Sequence, residues 1–313
     1  VNEAVTSGNL NKLDGRGKTL YAEVVPADAQ SILLEVGQQG DALQIHNWPR
    51  HDWIPWEIMH DRDQFLGLKF QITRLPVLTM PIIRDVRDLG NGARHEVESS
   101  RSVLGKNVVD GGSPAGLTAA WQDTFAGLKA GPGVGVSTVP PMLDADPAWP
   151  TEREADDVEH DIVHITCHGN IDYNGMKVWS LNLDEPKPSQ HYLDRDWVNH
   201  LDLSAQQPLV FANACGSAGA GAAMEVIPTF GQEFVEKGAH NFVGTFAPVT
   251  KKLALDFAKR FYEHLFSVAE DLTIGQALLA TKQDFHDPGV QDDPSYLFYC
   301  LYGPPSTKYR LAE

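Results

Sequence analysis

Two short stretches of the chain carry side chains that could do chemistry together. Residues 161–169 read DIVHITCHG and residues 209–216 read LVFANACG, each an apolar run ending in a reactive side chain followed at once by glycine. A cysteine thiol is only a few per cent ionised at neutral pH, and a nearby imidazole takes its proton or stabilises the thiolate. A glycine after each reactive residue lets backbone approach a substrate closely and leaves N–H groups to face an oxyanion. His168 and Cys215 taken together therefore predict acyl transfer through a thioester. Taken singly, each has a plainer explanation, since cysteine is a common core residue and a histidine at a strand end is commonly a satisfied polar group.

The surrounding elements must bring the two together. Ile162, Val163, Ile165 and Thr166 have the β-branched content of a buried strand, and Leu209, Val210 and Phe211 lead the second run. Parallel strands of an open α/β sheet present their carboxyl ends to a common crevice, so neighbouring strands ending in His168 and Cys215 could converge there. Before them, the pattern predicts strands over 102–109 and 134–139 and helices over 113–128 and 151–160. That alternation implies right-handed crossovers and a parallel sheet. A further helix is expected at 194–200. After Cys215, helices are expected over 228–237, 251–269 and 273–285, the last capped by Asp271, with a strand over 241–245.

The first third reads differently. Residues 1–18 are polar and glycine-bearing, as a loose lead-in would be. Segments 20–25 and 31–36 read as strands, 43–45 as a hairpin arm after a turn, 53–60 as a short helix capped by Asp52, and 69–73 as another strand. The expected organisation is thus a lead-in at 1–18, a β-rich subdomain at 19–101 and an α/β unit at 102–313.

Composition narrows the function classes. A 313-residue chain with 42% hydrophobic residues can bury a sizeable core. Its formal net charge of −17 repels phosphate backbones and anionic lipid, which argues against nucleic acid and membrane surfaces as partners. Three cysteines, Cys167, Cys215 and Cys300, make no disulfide framework and suit a reducing cytoplasm. No apolar run approaches the roughly 20 residues that span a bilayer. The chain opens on valine, as a domain cut from a longer protein would.

Rival motifs are weaker. His160, His164 and His168 are spaced by four, which on a helix would gather imidazoles for zinc. On a strand, positions 164 and 168 lie about 13 Å apart, too far for one ion. Gly216, Gly219 and Gly221 form GxxGxG, which matches no phosphate loop. The acidic clusters at 144–161 and at Asp284, Asp287, Asp292 and Asp293 lack EF-hand spacing and read as solvated surface. No metal or other cofactor is expected.

HITCHG at 164–169 and FANACGSA at 211–218 resemble the two signature segments of the CHAT branch of the caspase-like (clan CD) cysteine peptidases, relatives of separase and the caspases. The likeness continues upstream in Ile54-Pro55-Trp56-Glu57-Ile58, Phe65-Leu66-Gly67 and Thr73-Arg74-Leu75-Pro76. Downstream it takes in Gly244-Thr245-Phe246-Ala247-Pro248-Val249, the helical run 257–265, Ile274-Gly275-Gln276-Ala277-Leu278 and Leu301-Tyr302-Gly303-Pro304-Pro305. It implies a caspase-like, mainly parallel sheet flanked by helices, preceded by a β-rich pseudo-caspase-like subdomain.

The same resemblance assigns roles. Cys215 becomes the nucleophile, His168 the base, and the backbone N–H groups of Gly169 and Cys215 the oxyanion hole. Asn213 matches a position that often lines the S1 pocket, and Asp172, Phe246, Ala247 and Pro248 join it as substrate-binding candidates. Separase takes arginine through an acidic group after its post-cysteine strand. The corresponding 247–251 here is Ala-Pro-Val-Thr-Lys, which implies a neutral or apolar P1. The implied partners are one specific protein substrate, such as a pore-forming or bacterial defence effector, and an activating partner or helical repeat region outside this chain. The alternative is a catalytically silent caspase-like module that binds a peptide without cutting it.

Overall fold

A computed structural model describes residues 10–35, 37, 39–47, 54–76, 94–97, 99–104, 135–138, 161–166, 168–171, 177–180, 192–193, 198–199, 201–218, 229–287 and 293–311. The strands are β1 (Ala42–Asn47), β2 (Gln71–Pro76), β3 (Arg94–Val97), β4 (Ser99–Leu104), β5 (Gly135–Thr138), β6 (Ile162–Thr166), β7 (His168–Ile171), β8 (Lys177–Ser180), β9 (Tyr192–Leu193), β10 (Leu209–Asn213), β11 (Asn241–Thr245), β12 (Tyr299–Tyr302) and β13 (Lys308–Leu311). The helices are α1 (Leu10–Val24), α2 (Ala27–Glu35), α3 (Leu66–Lys69), α4 (Phe230–Glu236), α5 (Lys251–Leu265) and α6 (Ile274–His286), with single 3-10 turns at Trp56–Ile58 and Pro294–Phe298.

Eight strands form one sheet in the order β1-β2-β12-β11-β10-β6-β4-β5, with the two motif-bearing strands β10 and β6 adjacent near its middle. Every pairing in it is parallel except β11 with β12. All five residues of β10 and all five of β11 are buried, as expected for parallel strands covered on both faces. The pleat divides them. Leu209 and Phe211 face one core with Val243, Tyr299 and Leu301, while Val210 and Ala212 face the other with Phe242, Cys300 and Tyr302. Helix α5 covers the first face with Phe257, Phe261, Tyr262 and Leu265, and Phe257 lies flat on the Tyr299 ring at 3.8 Å between centroids. Helix α4 covers the second with Phe230 and Phe234.

Strands form from the runs ending at His168 and Cys215, closing earlier at Thr166 and Asn213, and over 241–245; the three helices expected after Cys215 form as α4, α5 and α6, with α5 ending at Leu265 rather than 269. Helix α6 starts one residue later than read, and its cap is Thr273 rather than Asp271. The Thr273 hydroxyl accepts from the Gln276 N–H while the Gln276 side chain accepts from the Thr273 N–H, a reciprocal pair that Asp271 could not form. Asp271 instead holds Lys308 and Arg310 of β13. The expected helices at 113–128 and 151–160 lie outside the described residues, and of 194–200 only Val198 and Asn199 are described, in a helical turn.

The first third departs from expectation. Residues 10–24 and 27–35 are helices where a lead-in and two strands were expected, and the strands described in 19–101 are β1, β2, β3 and the start of β4. Gly15 and Gly17 argue locally against a helix, but Leu13, Gly17 and Tyr21, four apart, form its buried stripe. Gly17 is required by close approach: a Cβ there would meet the Ile58 carbonyl oxygen well inside contact distance and touch the His60 Cβ at 3.2 Å. The Gly17 carbonyl also accepts the His60 N–H at 3.2 Å. Gly17→Val is expected to lower stability by about 1–3 kcal/mol through overpacking, measured by urea denaturation. An unchanged midpoint would mean that α1 is not seated against 58–60. Strand β1 is no hairpin arm either. It pairs in parallel with β2, Ala42 with Gln71 through Asn47 with Pro76, which adds the first third to the common sheet. The short helix expected at 53–60 is reduced to the 3-10 turn Trp56–Ile58, with Pro55 rather than Asp52 before it.

Candidate active site

Strands β6 and β10 pair in parallel from Leu209 with Ile162 to Asn213 with Thr166. Asn213 and Thr166 are the last rung, and neighbouring strands lie about 4.8 Å apart. Cys215 and His168 each follow that rung by two residues, so their backbones leave the same carboxyl edge side by side. The expectation that β6 runs on to His168 is corrected in detail. The strand closes at Thr166, and His168 opens β7, which pairs antiparallel with β8 through His168 with Ser180 and Gly169 with Trp179. Strands β7, β8 and β9 form a separate three-stranded sheet, so His168 stands where the chain passes from one sheet to the other. The His168 side chain, Cys167 and Asp172 lie outside the described residues.

After β10 the chain makes a tight turn. Gly216 has φ +68°, in the left-handed region that glycine enters at little cost, and the Ser217 N–H closes the turn on the Ala214 carbonyl at 3.0 Å. Cys215 is partly exposed, and its Sγ–H donates to the Val249 carbonyl at 3.6 Å. Cys300 is fully buried, and burial pushes its thiol well above the ordinary range. Of these two cysteines, only Cys215 combines a solvent path with a place at the strand edge.

The segment after β11 runs past the nucleophile candidate. Phe246 is half-buried against the Phe298 ring at 4.9 Å, Ala247 is buried, Pro248 is exposed, and Val249 supplies the carbonyl on the Cys215 thiol. A carboxylate that the sequence reading left among solvated surface acids comes beside this segment. Asp293, distant in the chain, accepts from the Thr250 hydroxyl at 2.9 Å and from the Ser295 N–H at 3.0 Å, so both its oxygens are engaged within the protein. Asn213 is also placed differently from its expected role as a pocket residue. It is 4% exposed, its Nδ2 donates to the Ala254 carbonyl at 2.8 Å, and its Oδ1 accepts from the Tyr299 hydroxyl at 2.8 Å. Its amide ties the end of β10 to α5 and β12.

His164 belongs to the core. Its ring stacks on Phe211 at 5.0 Å, Nδ1 meets the Tyr262 hydroxyl at 3.1 Å, and Nε2 meets the Thr166 hydroxyl at 2.9 Å. Burial pushes its pKa down from 6.5 to about 3. The unfolded chain therefore binds a proton that the folded chain refuses, and stability present above about pH 6.5 is lost progressively as pH falls towards 3. His164→Asn is expected to flatten the fall in melting temperature between those limits; an unchanged slope would assign that acid sensitivity to other groups. Among the described residues, no group of three or more His, Cys, Asp or Glu could hold a metal ion, and thiol–imidazole acyl transfer balances without a cofactor.

The model of the CHAT domain family matches residues 16–299. The chain belongs to the CHAT family. This CHAT chain shares its fold with gingipain R, described as an Arg-specific cysteine proteinase, at a TM-score of 0.58 and 14% identity over 96% of this chain and 75% of that one. A complex of the pro- and mature domains of Porphyromonas gingivalis RgpB matches at 0.57 and 12% identity over 98% and 71%. The separase of the Saccharomyces cerevisiae separase–securin complex matches at 0.51 and 14% identity over 83% of this chain, which spans only 15% of that protein. A search of curated proteins finds no match. At these identities the likeness to the cysteine proteinase and separase structures shows a shared fold. Among its described residues, no helix is long and apolar enough to cross a membrane.

Proposed function

We propose that this CHAT chain cleaves a specific partner protein through a thioester formed on Cys215, with His168 as general base and acid. The Cys215 sulfur attacks the scissile carbonyl carbon as its proton passes to the His168 imidazole, and the oxyanion is received by the N–H groups of Gly169 and Cys215. Collapse breaks the C–N bond, and the leaving amine takes the proton from His168. A water then gives a proton to His168 and attacks the thioester, releasing the acid and restoring the thiol. The observation that carries this reading is the β6–β10 register, which ends both strands on one rung with His168 and Cys215 each two residues beyond it.

The 247–250 segment carries no acidic side chain, and Asp293 is engaged by Thr250 and Ser295. A neutral or apolar P1 is therefore favoured, with Phe246, Ala247, Pro248 and Asp172 as the substrate-binding candidates. On family resemblance, the substrate is assigned to a bacterial cytoplasmic defence pathway, as a pore-forming or defence effector, with cleavage licensed by an activating partner. The test is intact-mass labelling with a peptidyl electrophile bearing an uncharged P1 residue, with and without a candidate partner. One adduct on wild type and none on Cys215→Ala or His168→Ala is expected. Equal labelling of Cys167 or Cys300, or none under any condition, would leave a peptide-binding module instead.

A further inference from the structure

We propose that Thr245 is the positioning residue for the nucleophile, a role that rests on the reading of Cys215 as that nucleophile. Thr245 ends β11, one residue past the last β10–β11 pair, Ala212 with Gly244, so it stands beside the point where β10 gives way to the turn. It is fully buried. Its hydroxyl donates to the Ala214 carbonyl at 2.9 Å and accepts the Gly216 N–H at 3.2 Å. One oxygen therefore holds the chain on both sides of Cys215. The Thr245 main chain extends the grip: its N–H donates to the Ser217 hydroxyl at 3.0 Å, and its carbonyl accepts the Ala218 N–H at 2.8 Å. The Ser217 hydroxyl in turn donates to the Ala212 carbonyl at 2.9 Å.

The neighbouring glycine makes room for this arrangement. A Cβ on Gly244 would stand 2.6 Å from the Ser217 Oγ, so only glycine lets that hydroxyl reach the Thr245 N–H. Every turn residue from Ala214 to Ala218 except Cys215 is bonded to Thr245 directly. Cys215 keeps its side chain for chemistry while its backbone is held through its two neighbours. The direction of its Cα–Cβ bond, and so the reach of Sγ, follows from that grip. Only a hydroxyl can donate and accept at one atom in so small a space, so serine can replace threonine here and valine cannot.

The experiment compares wild type, Thr245→Val and Thr245→Ser. Misplacing a reacting atom by about 1 Å costs on the order of 100-fold. Thr245→Val is therefore expected to slow labelling of Cys215 by the peptidyl electrophile by about that factor. Iodoacetamide, which needs only a reachable thiol, should label wild type and Thr245→Val at similar rates. Thr245→Ser, which keeps both bonds, should stay within roughly threefold of wild type on both reagents. A folded Thr245→Val protein that reacts with the peptidyl reagent as fast as wild type overturns the proposal. So does Thr245→Ser slowed as much as Thr245→Val, which would assign the effect to packing. Should Thr245→Val not fold, Thr245→Ala, which leaves space for a water, is measured in its place against the same limits. Amide exchange at Gly216 separates this proposal from the peptidase reading. If no peptidyl reagent labels wild type, faster Gly216 exchange in Thr245→Val than in wild type or Thr245→Ser still supports the grip, and equal exchange in all three overturns it.

Discussion

Cys215→Ala is expected to reduce kcat for peptide cleavage by about 10⁴- to 10⁶-fold while leaving KM within a few-fold, because it removes the atom that forms the thioester and little that binds the ground state. His168→Ala should fall in the same range, and the double variant should be scarcely worse than either single one, since nucleophile and base act as a unit. The residual rate belongs to the oxyanion hole and to substrate binding. Burial keeps Cys300 from substituting, as its thiol is fully enclosed and held protonated. Progress curves on a peptide spanning the cleavage site in the partner protein would measure all three variants. A Cys215→Ala protein that retained a tenth of the wild-type rate would place the nucleophile elsewhere, and a strictly additive double variant would separate the roles of Cys215 and His168.

The second large effect concerns folding. Glu57→Ala is expected to cost about 3–5 kcal/mol, because it leaves buried cations without their anion. The Arg74 guanidinium on β2 donates through Nη1 and Nη2 to the two Glu57 carboxylate oxygens and through Nη2 to the Ile54 carbonyl at 2.9 Å. Glu57 and Arg74 are 0% and 1% exposed, and Arg74 lies over the Tyr302 ring at 5.8 Å. Burial alone would lower the Arg74 pKa, but the neighbouring Cys300, Glu57 and Tyr302 groups override it and hold the guanidinium well above its usual range. Lys282 of α6 is also buried, and burial lowers its pKa against the pull of Glu57. Truncating Glu57 thus strips the counter-charge from two cations in a water-poor region, where unpaired charge is costly. Urea denaturation at neutral pH measures the loss. Replacing both Glu57 and Arg74 by leucine should recover much of it, since a hydrophobic pair needs no counter-charge. A loss below about 1 kcal/mol for Glu57→Ala would mean that water reaches the site and screens it.

Much of this molecule could be read without its three-dimensional structure because the relevant signals are local. Runs such as Ile162–Thr166 and Leu209–Asn213 are largely apolar because both sheet faces are covered, and 251–265 repeats its large apolar residues at helical spacing. The chemical types of His168 and Cys215, each followed by glycine at the end of such a run, point to acyl transfer on the same local terms.

Other features depended on residues far apart in the chain. Helix α1 carries glycines that locally disfavour it, and only the close seat on Ile58 and His60 explains Gly17. The β1–β2 pairing is parallel because a crossover of more than twenty residues separates the strands, which no turn motif in 37–41 could announce. Asn213 looks like a pocket residue in sequence, yet its amide is taken by Ala254 and Tyr299, 41 and 86 positions away. Thr245 carries no catalytic signal at all, and its hold on Ala214 and Gly216 exists only because β11 lies beside β10. Residue types and local periodicity determined which groups could react and which segments became strands and helices. Which strand lay beside which, and in what register, was decided only by burial of apolar faces between distant segments, because hydrogen-bonded pairing and packing act across space without regard to distance along the chain.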